Sequence, residues 1–545
     1  MPIPRRRLLI DDEPLISALS KLRRDLDVPG EFPAEVSEMA GRAHDRFAGG
    51  RIDATHLPLV AIDPPGARDL DQAFALERTS DGWVLHYAIA DVAAFIVPGD
   101  AVDLASRARG STLYLPDGSA PLHPRTLSEG AASLLPGEAR PAMWWRLTFD
   151  AEGELAETEV TRATVRVRVA TSYSVITAIL DNADADHAGD SDSDSDTLDG
   201  GGSDGDTVTT GADADSYTAS APEAPAAPGH AIDLQAPNGD ALEVAASRGI
   251  DLLEVATALR DFGSQRLALQ AQRGGVSLQL PEQDVEVSGS GEVQLVARPS
   301  LPAEEWNAQM SLATGIAAAQ LMLRAETGLL RTLPDAEPEI LEELERASTA
   351  LGQPWPDADQ SPTHVYAEWV RSLDPFTPIG AALMLTATKG LRGSGYSAFH
   401  GELPELTTHA AVAAPYAHVT APLRRLGDRY AAELALAAYE TRPAPAWVLD
   451  VLDDLPQILN DGNRRSSAVD RAVVDLLEAA VLAPQVGDEF AAVVLSHGRD
   501  GVRVQVTEPP VIADASGAAD DGQAVTVRLV EADPMERQTR FAIDH

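Results

Sequence analysis

Cysteine is absent from the 545 residues, which excludes disulfides, thiolate metal sites and a cysteine nucleophile. Lysine is nearly absent as well: Lys21 and Lys389 are the only two, so arginine carries almost all the positive charge. No stretch reaches the roughly 18 consecutive apolar residues of a membrane helix. The opening MPIPRRRLLIDDEPL lacks the apolar centre of a signal peptide. These absences predict a soluble, cytoplasmic chain with no membrane partner, and nothing in the sequence identifies a protein partner or an oligomer, so a monomer is expected. Aromatics make up only 5% of the chain, so any stacking surface must come from a few residues.

What is abundant is negative charge. The formal net charge is −43, which opposes a polyanionic partner because phosphate contacts need cations. A nucleic acid could then bind only in a locally basic channel. Residues 181–231 hold thirteen of the acidic residues and no Lys or Arg, among Ala, Gly, Ser, Thr and Pro. Such a segment cannot bury a core and is expected to be a disordered acidic insertion. Its Asp-x-Asp spacing lacks the Gly and terminal Glu of a calcium loop.

The length implies two to four domains. Helix-spaced apolar residues after prolines predict helices at 14–26 and 33–47, within an N-terminal helical segment of residues 1–50. Strand patterns follow from about 57 to 180, as in LPLVAID, WVLHYAIADVAAFI and MWWRLTFD. Helices are expected at 249–273, 303–326, 337–350, 363–372, 421–440 and 463–482. The last sixty residues return to about five short alternating strands, which predicts an OB-type barrel at 485–545.

Four stretches carry chemistry. In AIDPPGARDLDQA (61–73), the Pro64-Pro65-Gly66 turn can bring Asp63 beside Asp69 and Asp71. The stretch admits two readings: a solvated acidic turn, or carboxylates gathered around Mg²⁺ or Mn²⁺, ions that take oxygen ligands. Such ions near a phosphodiester support hydrolysis. In YAHVTAPLRRLGDRY (416–430), Arg424 and Arg425 lie near an expected helix start and could clamp a phosphate. They could equally be a surface pair, with Arg424 bridged to Asp428 one turn on. Tyr114, ahead of a Pro-Asp-Gly turn, suits a base-stacking platform or a core position. His123 reads as a turn histidine. Asp470 and Arg471, on an amphipathic helix, read as solvated charges by pattern alone.

Together these stretches resemble the ribonuclease II / ribonuclease R (RNB) family of exoribonucleases. IDPPGARDLDQA fits the family motif I-D-x-x-x-x-[KR]-D-x-D-D-A except at Gln72. LHYAIADVAAFIVPGDAVDLASRARGSTLYLPDG, RGGVSLQLPE and YAHVTAPLRRLGD resemble its later blocks, in order. The resemblance implies an α+β RNB catalytic domain, a mixed sheet with helices around an RNA channel, at 51–484. It also implies hydrolytic 3′→5′ degradation of single-stranded RNA to nucleoside 5′-monophosphates with Mg²⁺. By position, Asp63, Asp69 and Asp71 match metal-site carboxylates, and Asp71 matches the aspartate the family most depends on. Tyr114 matches the tyrosine stacked near the 3′-terminal nucleotide, and Arg424 matches the arginine that holds the phosphate. Asp470 stands where the family has a Glu contacting the terminal nucleotide, and Glu304 or Glu305 matches another. Gln72 departs from the pattern and could reach a metal only through a neutral carbonyl oxygen. The family's paired cold-shock domains have no counterpart in residues 1–50. These departures open a second expectation: an RNB-domain RNA-binding protein with weakened catalysis.

Overall fold

The computed structural model describes residues 13–191, 240–278, 282–287, 293–298, 300–356, 361–374, 377–497, 501–506, 508–509 and 511–543. Two helices come first, α1 (Glu13–Asp25) and α2 (Ala34–Gly41). α1 buries Leu15, Ala18, Leu19 and Leu22, the i, i+3, i+4, i+7 stripe that made it legible.

A five-stranded closed barrel follows. Its strands are β1 (Ile52–Ile62), β2 (Gln72–Thr79) and β3 (Gly82–Ala90), then, after helix α3 (Ala101–Arg109) and a hairpin of β4 (Leu113–Leu115) and β5 (Gly118–Ala120), β6 (Ala139–Phe149) and β7 (Leu155–Thr171). The barrel order is β1-β2-β3-β6-β7, closed by a parallel β1–β7 pair in which Val60 faces Val169. Side chains alternate between its two faces. Val60, Ile62, Phe74, Leu85, Tyr87 and Ile89 share a cluster with the helices Leu252–Gln272 and Pro302–Arg324. The intervening Ala61, Ala73, Ala75, Ala88 and Ala90 join a second cluster with Val36 and Ala40 of α2. Both faces are buried, so β3 reads as a nearly continuous apolar run.

Helix α4 (Tyr173–Ser191) corrects the start of the acidic insertion. Val175, Ile176 and Leu180 anchor it in the core, and once nucleated a helix gains one hydrogen bond per added residue. Residues 181–191 are therefore helical, and 192–231 lie outside the described residues. The helix expected at 421–440 begins only at Leu426, because Arg425 is extended (φ −126°, ψ 120°). The helix expected from 463 begins earlier, at Leu455, and runs to Leu482. Helices at Pro378–Ala387 and Ala446–Leu452 had no expectation.

The expected terminal barrel is present. Its strands are Glu489–His497, Val502–Val506, Val511–Ser516, Ala524–Asp533 and Gln538–Ile543, in the order first-second-third-fifth-fourth. Its core of Val494, Val504, Val511, Val527, Leu529 and Phe541 joins that of α1, Leu113, Leu115 and the helix Leu455–Leu482. The hairpin that carries Tyr114 is thereby held from both ends of the chain.

Candidate active site

The β1–β2 connection begins as the sequence predicts. Ala67 N–H donates to Pro64 O at 3.2 Å and Gly66 has φ +80°, as a type II turn requires with proline second and glycine third. Ser133 fixes the rest of the loop: its hydroxyl donates to Arg68 O at 2.7 Å and accepts from Leu70 N–H at 3.0 Å. Asp63 and Asp69 are half-buried at either end, whereas Asp71 is only 3% exposed.

Asp71 is held by a segment 350 residues away. One carboxylate oxygen accepts from Leu423 N–H at 2.7 Å and the other from Arg424 Nε at 3.1 Å. Burial pushes the Asp71 carboxyl up to about 7, against the pull of Arg424 and the Leu423 N–H. For Arg424, burial opposes the charge, but Asp71, Tyr114 and Asp63 together raise its pKa. The Arg424 side chain keeps 37% of its surface exposed. Tyr114 is half-buried on β4, and its hydroxyl donates to Asp69 Oδ2 at 3.4 Å. Asp63, Asp69, Asp71, Tyr114 and Arg424, drawn from three separate stretches of the chain, thus form one electrostatic group.

The backbone around Arg424 is tied down with care for its register. Thr112 N–H donates to Arg424 O at 3.0 Å, and Leu426 N–H donates to Gly110 O at 3.2 Å. Gly110 is required twice: its φ is +75°, and an added Cβ would sit 3.2 Å from Gly462 Cα. The bridge expected between Arg424 and Asp428 is made by Arg425 instead, with Nη2 at 2.7 Å from Asp428 Oδ2. Asp428 also accepts from Ala421 N–H at 2.7 Å. The late helix start turns the two arginines apart, so Arg424 reaches Asp71 while Arg425 braces its own turn.

His123, expected in a turn, is buried. Its Nε2 donates to Pro422 O at 3.1 Å and Nδ1 faces Ser106 Oγ at 2.9 Å. It positions the residue just before Leu423. Burial drives its pKa down to about 3, so the ring is neutral.

Gln72 does not point to the carboxylates as a ligand would. Its Oε1 accepts from Tyr87 Oη, and from Ser311 Oγ at 3.1 Å. On the strand it shares a face with Phe74, opposite to Ala73, and that face packs on the helix Pro302–Arg324. Ser311 and Asn307, one turn earlier and bonded to Tyr173 Oη at 3.1 Å, were missed from sequence. Their signal was polar residues four apart on a helix otherwise rich in Ala, Leu and Met. Glu304 accepts from Leu301 N–H at 2.9 Å and caps that helix. Asp470 is half-buried on its helix, where burial raises its pKa. No hydrogen bond or ion pair among the described residues joins it to Asp71 or Arg424.

The oxygen donors at Asp63 and Asp69 suit a hard divalent cation. Yet among the described residues no three His, Asp or Glu side chains are gathered closely enough to hold a metal ion. Asp71 is committed to Arg424 and Gln72 to two hydroxyls, so the four-ligand set expected from sequence is not assembled. No described helix is long and apolar enough to cross a membrane.

Comparison with known proteins gives two domain matches: the RNB domain over residues 51–440 and the RNase II-type exonuclease C-terminal S1 domain over 488–544. Exoribonuclease 2 of Vibrio parahaemolyticus is 33% identical over 162 residues, 29% of this chain and 24% of the relative. Ribonuclease R of Mycoplasma pneumoniae is 34% identical over 180 residues, 32% of this chain and 25% of the relative. The aligned segments thus span about a quarter of these relatives. Mycoplasma genitalium RNase R, solved with ribose-methylated single-stranded RNA, has a similar fold (TM-score 0.77, 18% identity) covering 98% of this chain and 78% of that one. Yeast Ssd1, described as a pseudonuclease, is also similar (TM-score 0.59, 14% identity, 90% of this chain and 54% of that one).

Proposed function

The chain belongs to the RNB-domain family, and from that premise we propose that it is a 3′→5′ exoribonuclease acting on single-stranded RNA. The observation that carries this reading is the Asp71–Arg424 pair, set beside Tyr114 and Asp69. Water would add across the P–O3′ bond of the last linkage, leaving a 3′-hydroxyl on the shortened strand and the phosphate on the released nucleoside. Asp71, itself held by the Leu423 N–H, fixes Arg424, whose side chain is 37% exposed and whose remaining donors would meet a phosphate. Tyr114 offers an aromatic face to the terminal base. Mg²⁺ or Mn²⁺ is part of the proposal: Asp63 and Asp69 would hold the ion, which would supply positive charge at the scissile phosphate. The proposal extends to a monomer working in the cytoplasm.

The test is 5′-labelled single-stranded RNA incubated with the purified chain and Mg²⁺ or Mn²⁺, alongside Asp71→Asn. The expected result is a ladder shortening from the 3′ end, slowed about 100-fold or more by the substitution, since the phosphate clamp loses its anchor. No ladder from either protein, or equal degradation by both, sinks the reading.

One observation favours a second reading, an RNA-binding protein with weakened catalysis: Gln72 places a neutral amide, already committed to Tyr87 and Ser311, where the motif has an aspartate. On that reading RNA is retained at low salt without cleavage, and Gln72→Asp produces a large gain in rate.

A further inference from the structure

The strand that carries Tyr114 cannot hold itself. β4 and β5 pair only from Leu113 opposite Ala120 to Leu115 opposite Gly118, and an isolated two-stranded hairpin is marginal in water. Its order must come from what it packs against. Side chains alternate along β4: Tyr114 is half-buried and bonded to Asp69, whereas Leu113 and Leu115 are 2% and 4% exposed. Both leucines enter the core shared by α1, the helix Leu455–Leu482 and the terminal barrel.

Charged links reach the same hairpin. Arg23 of α1 grips its tip with two bonds to Asp117, from Nη2 at 2.7 Å and from Nε at 3.3 Å. Two residues on, Asp25 accepts at 3.0 Å from Nη2 of Arg537, which lies between the last two barrel strands. α1 thus ties the barrel to the tip of the Tyr114 hairpin.

The barrel's own surface is poorly made for RNA. Residues 488–544 hold eleven Asp and Glu against five Arg and no Lys, and phosphate contacts need cations. Arg528 is matched by Glu489 and Arg540 by Glu531, while Arg537 is spent on α1. The two aromatics of this stretch are Phe490 and Phe541. Phe541 is 1% exposed, and Phe490 packs edge-to-face with it at 5.8 Å. Both rings are committed to the core, so neither supplies the stacking platform on which barrels of this type hold a base.

We propose that the terminal barrel acts on Tyr114 rather than on RNA. With α1 it fixes β4 through Leu113 and Leu115, which are positioning residues for the tyrosine. The proposal rests on the exonuclease reading for what Tyr114 does at the terminal base.

Two sets of variants of the intact chain test it. Arg503, Arg528 and Arg540 are exposed. Replacing all three by Ala should leave affinity for single-stranded RNA within about twofold, and its salt dependence unchanged, in fluorescence anisotropy with EDTA. A larger loss, or a shallower salt slope, overturns the proposal. The second set is a double-mutant cycle of Leu115→Val with Tyr114→Ala. Leu115→Val removes a single methylene, and circular dichroism checks that the chain folds; Leu113→Val provides the same cycle if it does not. The expected result is that Leu115→Val lowers kcat about tenfold when Tyr114 is present, because small misplacements of a positioning group are amplified in rate. With Tyr114→Ala in place it should lower kcat no further. Leu115→Met, which restores the volume, should recover most of the rate. Equal slowing with and without the tyrosine overturns the proposal, since a leucine that only supports the fold acts in both backgrounds. No slowing in the presence of Tyr114 overturns it too. If wild type makes no ladder, the exonuclease reading falls alone. The same cycle is then read from RNA affinity, to which stacking on Tyr114 contributes.

Discussion

The barrel of residues 52–171 and the barrel of residues 489–543 close in the same way, each by one parallel pair in an otherwise antiparallel set. They differ in where their charges sit. The terminal barrel buries Val, Ala, Leu and Phe541, and pairs its charges at the surface, as Arg540 does with Glu531 across two strands. The first barrel buries ions. Asp91 is almost fully covered between Arg51, at 2.7 Å, and Arg162, and Glu433 from a distant helix joins Arg162. Asp71 is buried on Arg424 in the same manner. Removing ions from water costs several kcal/mol each unless partners and hydrogen bonds repay it. A barrel can be built without that expense, as the second one is, so the buried pairs of the first specify position. They fix residues 51, 91, 162 and 433 against one another, and the Asp71–Arg424 pair is the one whose arginine keeps 37% of its side chain exposed.

The sharpest way to break this contrast is to remove one arginine from each barrel region. Arg424→Ala leaves Asp71 buried with no cation. It should destabilise the chain by about 2 kcal/mol, less than a fully buried pair because Arg424 is partly exposed, and should lower RNA cleavage by about 100-fold or more. Arg540→Ala should cost no more than about 0.5 kcal/mol, as exposed pairs do, and leave the chemistry unchanged. Urea unfolding and the cleavage assay read both. Equal destabilisation by the two would end the distinction. Gly110→Ala tests the fixing of the Arg424 backbone. Positive φ and the approach to Gly462 predict a loss of about 1–3 kcal/mol, together with slower cleavage because the 110–112 and 424–426 segments are bonded. Unchanged cleavage at full stability would show that this register is unimportant.

A separate effect is in pH dependence. Unfolded, His123 takes a proton below about 6.5, whereas in the folded chain it stays neutral to about 3. Within that window the unfolded state binds more protons, so stability falls as pH drops from about 6.5 towards 3. His123→Gln should flatten part of that slope in urea titrations between pH 7 and 4. An unchanged slope would mean that the histidine does not stay neutral when buried.

Much of the molecule was legible in the chain itself. The continuous apolar run of β3, the alternation of β6 and β7, the amphipathic α1 and the alternating terminal strands announced two β-rich regions, because burial on one face or on both writes its pattern into the sequence. Pro64-Pro65-Gly66 announced a turn, since proline and glycine restrict φ locally. The order of motifs named the family. Other features were decided only by folding. Arg424 rather than Arg425 reaches Asp71 because the helix starts at Leu426, and no local pattern fixed that start against the proline before it. Gln72 sits beside Asp71 in sequence but is spent on Tyr87 and Ser311, partners that come from a neighbouring strand and a distant helix. His123 became a positioning residue through Pro422, three hundred residues on. Sequence by itself settled periodicities, turns and the inventory of carboxylates, which are properties of neighbouring residues. Which carboxylate meets which cation depends on long-range packing, and that the tertiary structure alone decided.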